Sequence, residues 1–335
     1  MISSIVRFRM RLVTGVLFVL FSLLGLSSAA DKDEWRSRSI YQVVTDRFAH
    51  ADDSTPPACF VLLGHYCGGT WRGIRDNLDY IEGMGFDAVW ISPVVGNLPQ
   101  LTGDGAAYTS YWQQNLYALN SNFGTRQDLL DLVEEIHARG MLLMLDIVVN
   151  HMGYSGTPFF IDYSVFWPFN DQKYFHDYCG VDNPANHTNA EQCWLGDSIV
   201  PLADLRTEDE EVQNMFGEWI SEMVHNYSID GLRIDTAINV QPDFFPEFVK
   251  AAGVFATGET MTGDNMIACT WEDTVGSILN YPIYYTLIRA FQDEEGSIND
   301  LVETIDSTRD NCNDPTVLGS FSEVSHCSAW DSKLC

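Results

Sequence analysis

Gly231-Leu232-Arg233-Ile234-Asp235-Thr236 is a short apolar run that carries one cation and one carboxylate two positions apart. Its brevity and branched residues predict a strand. Side chains two apart on a strand share a face, so Arg233 and Asp235 stand side by side. A guanidinium next to a carboxylate keeps it ionised. Thr257-Gly258-Glu259-Thr260, after the apolar Gly253-Val254-Phe255-Ala256, repeats the pattern with a second acid. Two carboxylates at the ends of neighbouring strands are the minimum equipment for cutting a glycosidic bond with retention. The ionised one attacks the sugar, and the protonated one serves the leaving oxygen.

Outward from this stretch, the chain alternates helices with buried strands. Ile40 to Phe48, Phe86 to Val95 and Met141 to Val149 read as strands, the last almost continuously apolar, as in parallel sheets. Ile74, Leu78 and Ile81 recur at helical spacing before Gly83 and Gly85. Leu129, Leu132, Val133 and Ile136 form a stripe behind a capping-box-like start at Thr125-Arg126-Gln127-Asp128. Val212, Met215, Phe216, Trp219, Ile220, Met223 and Val224 mark a long amphipathic helix just before the Gly231 strand. Ile278 to Leu287 and Thr316 to Phe321 are weaker strand candidates. Residues 151–206 interrupt this rhythm and read as an irregular insertion. The pattern predicts β/α architecture with parallel strands, a doubly wound sheet being the alternative to a barrel. Polar residues gather at the C-terminal strand ends: Asp46 and Arg47, Asn150 and His151, Asp235, Glu259. That end carries the chemistry in β/α barrels. No glycine-rich phosphate loop follows the first strand, so nucleotide binding has no support.

The 335 residues carry a formal net charge of -29, from 18 Lys+Arg against 47 Asp+Glu. Such acidity argues against nucleic acid or an anionic membrane as partner. Residues 1–30 read as a secretory signal peptide: Arg7, Arg9 and Arg11, an apolar run from Leu12 to Leu26, then Ser28-Ala29-Ala30. The run is short for a membrane anchor, the other reading. Eight cysteines fit an oxidising compartment, and six lie in close pairs: Cys59/Cys67, Cys179/Cys193 and Cys269/Cys312, with Cys327 and Cys335 in the tail. Cysteine positions alone leave connectivity open. Asn186-His187-Thr188 and Asn226-Tyr227-Ser228 are N-glycosylation sequons.

Longer runs carry a family resemblance between about Trp35 and Phe321. They include Arg36 to Tyr41, Tyr66-Cys67-Gly68-Gly69-Thr70-Trp71, Tyr111-Trp112-Gln113-Gln114, Asp146 to Tyr154, Cys193-Trp194-Leu195-Gly196-Asp197, Asn226 to Thr236 and Leu279 to Tyr285. In these the chain resembles the fungal α-amylases, glycoside hydrolases built on a (β/α)8 TIM barrel with an inserted B domain. The resemblance implies a barrel over 31–150 and 207–321, with the B domain at 151–206. It also implies disulfides 59–67, 179–193 and 269–312. Carried over residue by residue, Asp235 matches the nucleophile, Glu259 the acid/base, and Arg233 the arginine that holds the nucleophile ionised. His151, Tyr111 and Trp112 match substrate contacts, although Tyr111 and Trp112 taken alone read as core aromatics. Asn150, Glu191, Asp204 and the backbone carbonyl of Asn239 match ligands of a structural Ca2+, all of them oxygen donors as calcium requires. The implied enzyme is secreted and monomeric and hydrolyses α-1,4-glucan in starch or glycogen.

Three positions depart from the family pattern. Thr109 stands where a histidine is usual. Thr236-Ala237-Ile238-Asn239 replaces Thr-Val-Lys-His, which removes two sugar-contacting side chains. This change fits a cell-wall 4-α-glucanotransferase as the second reading. After Phe321 the sequence runs Ser322-Glu323-Val324-Ser325-His326-Cys327 where the family has Glu-Asn-His-Asp, and Asp331 is too distant to substitute for that aspartate. The expectation is a barrel lacking its last β/α unit, an aberrant tail over 322–335, and, as the third reading, an inactive glucan-binding remnant.

Overall fold

The structure, a computed structural model, describes residues 30–51, 55, 58–182 and 186–322. Nearly all of residues 1–30, read above as a signal peptide, and most of the 322–335 tail, with Cys327, Asp331 and Cys335, lie outside them. Ten strands appear among the described residues: β1 (Ile40–Val43), β2 (Ala88–Ile91), β3 (Val95–Asn97), β4 (Gln113–Leu119), β5 (Leu142–Val148), β6 (His151–Gly153), β7 (Leu195–Gly196), β8 (Pro201–Asp204), β9 (Gly231–Asp235) and β10 (Phe255–Gly258). β1, β2, β5, β9 and β10 form one sheet in that order, every pair parallel. Parallel bridges from Gly258 to Ile278 and from Leu279 to Gly319 carry the wall two positions further. Spatial order follows chain order without reversal. A doubly wound sheet reverses at a switch point, so the barrel is the architecture.

The two faces of each strand divide the core. Val43, Val89, Ile91, Leu143, Leu145, Ile147, Leu232, Ile234 and Ala256 pack outward in the cluster shared with helix residues such as Leu132, Ile136, Phe216 and Ile220. Ala88, Leu142 and Met144 face the other way, with Ile40, Trp90 and Phe255, onto Trp35. Trp35 stacks on Phe255 and its indole donates to the Asp230 carbonyl at 3.1 Å. A Cβ at Gly231 would lie 2.7 Å from this ring, so only glycine admits the tryptophan at the N-terminal end of β9. Along the inward register, Met144 is followed by Asp146, and Gly231 by Arg233 and Asp235. Apolar residues therefore fill the bottom of the wall, and charge collects at its C-terminal end.

Several element boundaries differ from the sequence reading. β1 ends at Val43, and Thr45–Phe48 is a helical turn. Asp46 forces this turn by accepting the Cys67 and Gly68 amides at 2.8 to 3.1 Å. The first helix is broken into Trp71–Asp76 and Leu78–Gly83, where the Asn77 side chain donates back to the Gly73 carbonyl. β10 is shorter than Gly253 to Thr260, because Gly253 is the left-handed cap of helix Phe245–Ala252. Ile278 to Leu287 is strand-like only at its first two residues. Asn280 then caps helix Tyr281–Gln292, with Pro282 in its first turn. That pair is a helix-start signal that outweighs the β-branched composition. Thr316 to Phe321 gives a 3-10 turn, Pro315–Val317, and the single bridge at Gly319. Helices Asn265–Val275 and Ile298–Asn311 have no counterpart in the sequence pattern; the disulfide from Cys269 to Cys312, the residue that caps the second, joins them. Cys59–Cys67 and Cys179–Cys193 are also bonded, as expected.

The insertion after β5 is not irregular throughout. β6, β8 and β7 form an antiparallel sheet, with His151 opposite Asp204 and Leu195 opposite Leu202. Strands of two to four residues carry too little alternation to be read from sequence. The His151–Asp204 pairing brings the start and end of the insertion together at the mouth of the barrel. Asn186 is exposed and caps the short helix His187–Gln192. Asn226 is exposed on the last turn of helix Glu210–Tyr227.

Candidate active site

Arg233 is the centre of the site. Its side chain is 2% exposed, and the carboxylates around it, Asp146, Asp235 and Glu259, are 0%, 9% and 8% exposed. Nη1 donates to Asp146 Oδ1 at 2.9 Å and to Asp235 Oδ1 at 2.8 Å, and Nη2 meets Glu259 Oε1 at 2.6 Å. The parallel register explains this convergence: Asp146 lies opposite Arg233 across β5 and β9, and Val148 opposite Asp235. Glu259 follows the last residue of β10, next door. Two of the three carboxylates were expected here, and Asp146 was not. A signal for it existed, because an acid inside a strand buried on both faces needs a cationic partner.

Asp146 also accepts the Tyr111 hydroxyl at 2.6 Å and the Trp90 indole at 2.9 Å. Burial pushes its carboxyl up to about 7; Arg233 pulls against this, and the Asp235 charge adds to it. Three carboxylates and one guanidinium leave negative charge in excess, which binding a proton relieves. Burial, with the Asp146 charge, raises the Tyr111 hydroxyl well above its usual range, so it remains a donor.

Two of the non-glycine residues in the left-handed region flank this cluster. Thr236, at φ 45°, follows Asp235, and Ser110, at φ 71°, precedes Tyr111. A β-branched residue there is strained, and such strain persists where the surroundings over-determine it. The conformation of Thr236 aims its N–H at Glu259 Oε2, at 3.0 Å. The buried Ser110 hydroxyl accepts the amides of Asn97 and Asn120 at 2.9 and 3.1 Å, which fixes the turn that presents Tyr111.

His151 is buried beside the cluster. Its Nε2 faces the Tyr111 carbonyl at 3.1 Å, and burial pushes the imidazole down, so it is neutral and donates from Nε2. Trp112 packs, half-buried, with Leu98, Ala107 and Val200, and the absence of a Cβ at Gly153 makes room for it. In this position it is a packing residue between its loop and the insertion. Tyr281, within the Leu279 to Tyr285 run, carries no role in the sequence pattern alone; its hydroxyl donates to Glu259 Oε1 at 3.0 Å.

A second cluster lies directly behind His151. With the proton on Nε2, Nδ1 is an acceptor and takes the Asn150 amide N–H at 3.2 Å. In that orientation the Asn150 carbonyl oxygen faces the Asn239 carbonyl at 2.9 Å and Asp204 Oδ1 at 3.3 Å; turned over, the amide donates to both and its oxygen accepts from His151 Nδ1 at 3.2 Å. In the first orientation three hard oxygen donors of the kind calcium takes converge. His176 holds the other Asp204 oxygen at 2.7 Å, and burial pushes the Asp204 carboxyl up to about 7. Glu191, the fourth expected ligand, sits beside Ala190 on the inserted helix and lines a cleft of about 320 Å³ with His187, Pro242 and Trp271. It makes no hydrogen bond or ion pair to the other three. No cluster of three or more His, Cys, Asp or Glu suited to a metal occurs among the described residues. Any metal here would depend on the amide and carbonyl oxygens.

The sequence matches the alpha-amylase catalytic-domain family over residues 42–326. The chain belongs to the alpha-amylase family. It is 50% identical to Alpha-amylase 1 of Lipomyces kononenkoae over 289 residues, covering 86% of this chain and 46% of that protein. It is also 50% identical to Alpha-amylase 2 of Schwanniomyces occidentalis over 299 residues, covering 89% and 58%. The solved alpha-amylase of Malbranchea cinnamomea superposes with a TM-score of 0.85 at 49% identity, covering 88% of this chain and 62% of that one. The chain therefore spans about half the length of the curated alpha-amylases it matches. Its parallel wall is the (β/α)8 barrel of the alpha-amylase family.

Proposed function

We propose that this protein cleaves α-1,4-glucosidic bonds of starch- or glycogen-type glucans, retaining configuration through two displacements. The observation that carries this reading is the pair Asp235 and Glu259, held on one buried guanidinium. Sharing a guanidinium is in keeping with the short carboxylate separation, about 5 Å, of retaining enzymes. Asp235 forms a bond to the anomeric carbon as the bond to the leaving oxygen breaks, and Glu259 gives that oxygen a proton. Water then attacks the same carbon, returns a proton to Glu259, and the bond to Asp235 breaks. Arg233 keeps Asp235 ionised for the first step, and Asp146 and Tyr111 keep Arg233 in place. The three disulfides support secretion, and the family supports a glucan as the partner.

Asn150, Asp204 and the Asn239 carbonyl are the residues that would hold calcium, with Glu191 next to them. Bound there, the ion supplies positive charge that ties the insertion to the barrel. Asp235→Asn and Glu259→Gln are each expected to reduce reducing-end release from starch by about 10³-fold or more. Release near the unmutated rate in either variant overturns the assignment.

A second reading, 4-α-glucanotransfer, turns on what the leaving-group side accepts. The Asn239 side chain donates to the Ala190 carbonyl at 2.9 Å, so it is engaged by the insertion, while Ile238 offers no donor. Fewer donors on the leaving-group side weaken the hold on the departing glucan. Product chain lengths separate the readings: hydrolysis adds reducing ends, whereas transfer redistributes chain length without adding them.

A further inference from the structure

We infer that Tyr281 is a positioning residue for Glu259, a role that rests on the assignment of Glu259 as acid/base. Tyr281 is 5% exposed and opens helix Tyr281–Gln292, directly after the wall position Ile278-Leu279. Its ring is packed by Phe321, Tyr285 and Tyr284 at centroid distances of 5.0, 5.6 and 6.0 Å. The Asn280 side chain accepts the Ile283 amide, and Asn280 N–H donates to the Gly319 carbonyl at 2.9 Å, so the turn that carries Tyr281 is fixed at both ends. From this frame the hydroxyl reaches Glu259 Oε1 at 3.0 Å, the oxygen that also meets Arg233 Nη2.

Two donors on one oxygen, one of them cationic, decide where a proton can reside. A proton on Oε1 would face the guanidinium and the phenol O–H, both of which already point hydrogen at that oxygen. The exchangeable proton therefore belongs on Oε2, which the left-handed Thr236 sets at 3.0 Å from its own N–H. Burial, with the Glu259 charge next, pushes the Tyr281 hydroxyl far above its ordinary range, so it remains a donor throughout the cycle. Tyr281 touches no reacting atom in this scheme. It orients the carboxyl so that the protonated oxygen faces the leaving group.

The test is Tyr281→Phe in the full chain, which removes one oxygen and keeps the ring. Two donors are compared. Maltopentaose has a sugar leaving group that needs a proton. α-Maltosyl fluoride with added azide needs neither acid nor base, because fluoride leaves unprotonated and the azide anion attacks without losing a proton. A hydrogen bond to a charged group corresponds to a rate loss of about 10- to 100-fold. That loss is expected in kcat on maltopentaose, with the fluoride rate held within about 2-fold. In a Glu259→Gln background the same substitution should cause little further loss, since both act through one group. Loss of both rates in one ratio, or a further full loss in the Glu259→Gln background, marks a packing role and overturns the inference. An unmutated chain that turns over neither donor overturns the hydrolase reading itself, and the positioning role with it.

Discussion

Replacing Arg233 by methionine should produce a loss of stability that grows with pH. The substitution keeps an unbranched apolar stem, two atoms shorter, and removes the charge facing Asp146, Asp235 and Glu259, whose side chains are 0%, 9% and 8% exposed. Breaking a buried ion pair from one side costs about 3–5 kcal/mol, because the remaining charge has neither water nor partner. The carboxyls can escape part of that cost by binding protons. Asp146 is pushed up to about 7 even with Arg233 beside it. Without the guanidinium it rises further. A carboxyl whose folded value lies above its unfolded one makes the folded state bind more protons. Stability then falls as pH rises from the ordinary aspartate range through the raised folded value. We therefore expect a loss of about 4 kcal/mol at pH 8 and roughly half of that at pH 5. Urea unfolding at the two pH values, compared at equal m-value, gives both numbers. An equal loss at pH 5 and pH 8, or a loss under about 1 kcal/mol at pH 8, would refute the argument that this arginine neutralises a three-carboxylate cluster.

Two further outcomes follow from clusters away from Arg233. Chelation should lower the melting temperature and expose residues 151–206 to protease, since a ligand of the folded state stabilises it by mass action. Asp204→Ala should remove the response to chelator, and no response in the unmutated chain would mean that the Asn150, Asp204 and Asn239 oxygens hold no ion. His137 meets Asp230 Oδ2 at 2.8 Å, and this hydrogen bond raises the imidazole above its ordinary value. Its contribution is complete below about pH 6.5 and is lost as pH rises through the raised folded value. The melting temperature should therefore fall less steeply between pH 6.5 and 8.5 in His137→Gln than in the unmutated chain, and identical slopes would dismiss the pair.

Much of the wall was legible in the sequence because its strands are buried on both faces. Seven consecutive buried residues in β5 and five in β9 leave an apolar signature broken only by the charges of the site, and a helix stripe precedes β2, β5 and β9. The nucleophile candidate and its arginine were legible for the same reason: a two-residue spacing on a strand is a statement about one face. The inserted sheet was not legible, because strands of three, two and four residues show no period. Nor was helix Tyr281–Gln292 in place of a strand, since β-branched and aromatic residues satisfy either state until a cap decides.

The sequence by itself determined which residues carry charge on the inward face of each strand, because parity along a strand is local. Only the tertiary structure decided which of those charges meet. Asp146 and Arg233 are 87 residues apart, and their contact at 2.9 Å depends on the register of β5 against β9, which no local pattern encodes. The same holds for Tyr281 on Glu259 and for the Asn239 carbonyl beside Asn150. Each joins segments whose separation in space is set by how the wall curves. A carboxylate's partner in a buried site is a property of that curvature, while its presence on the inner face is a property of the chain.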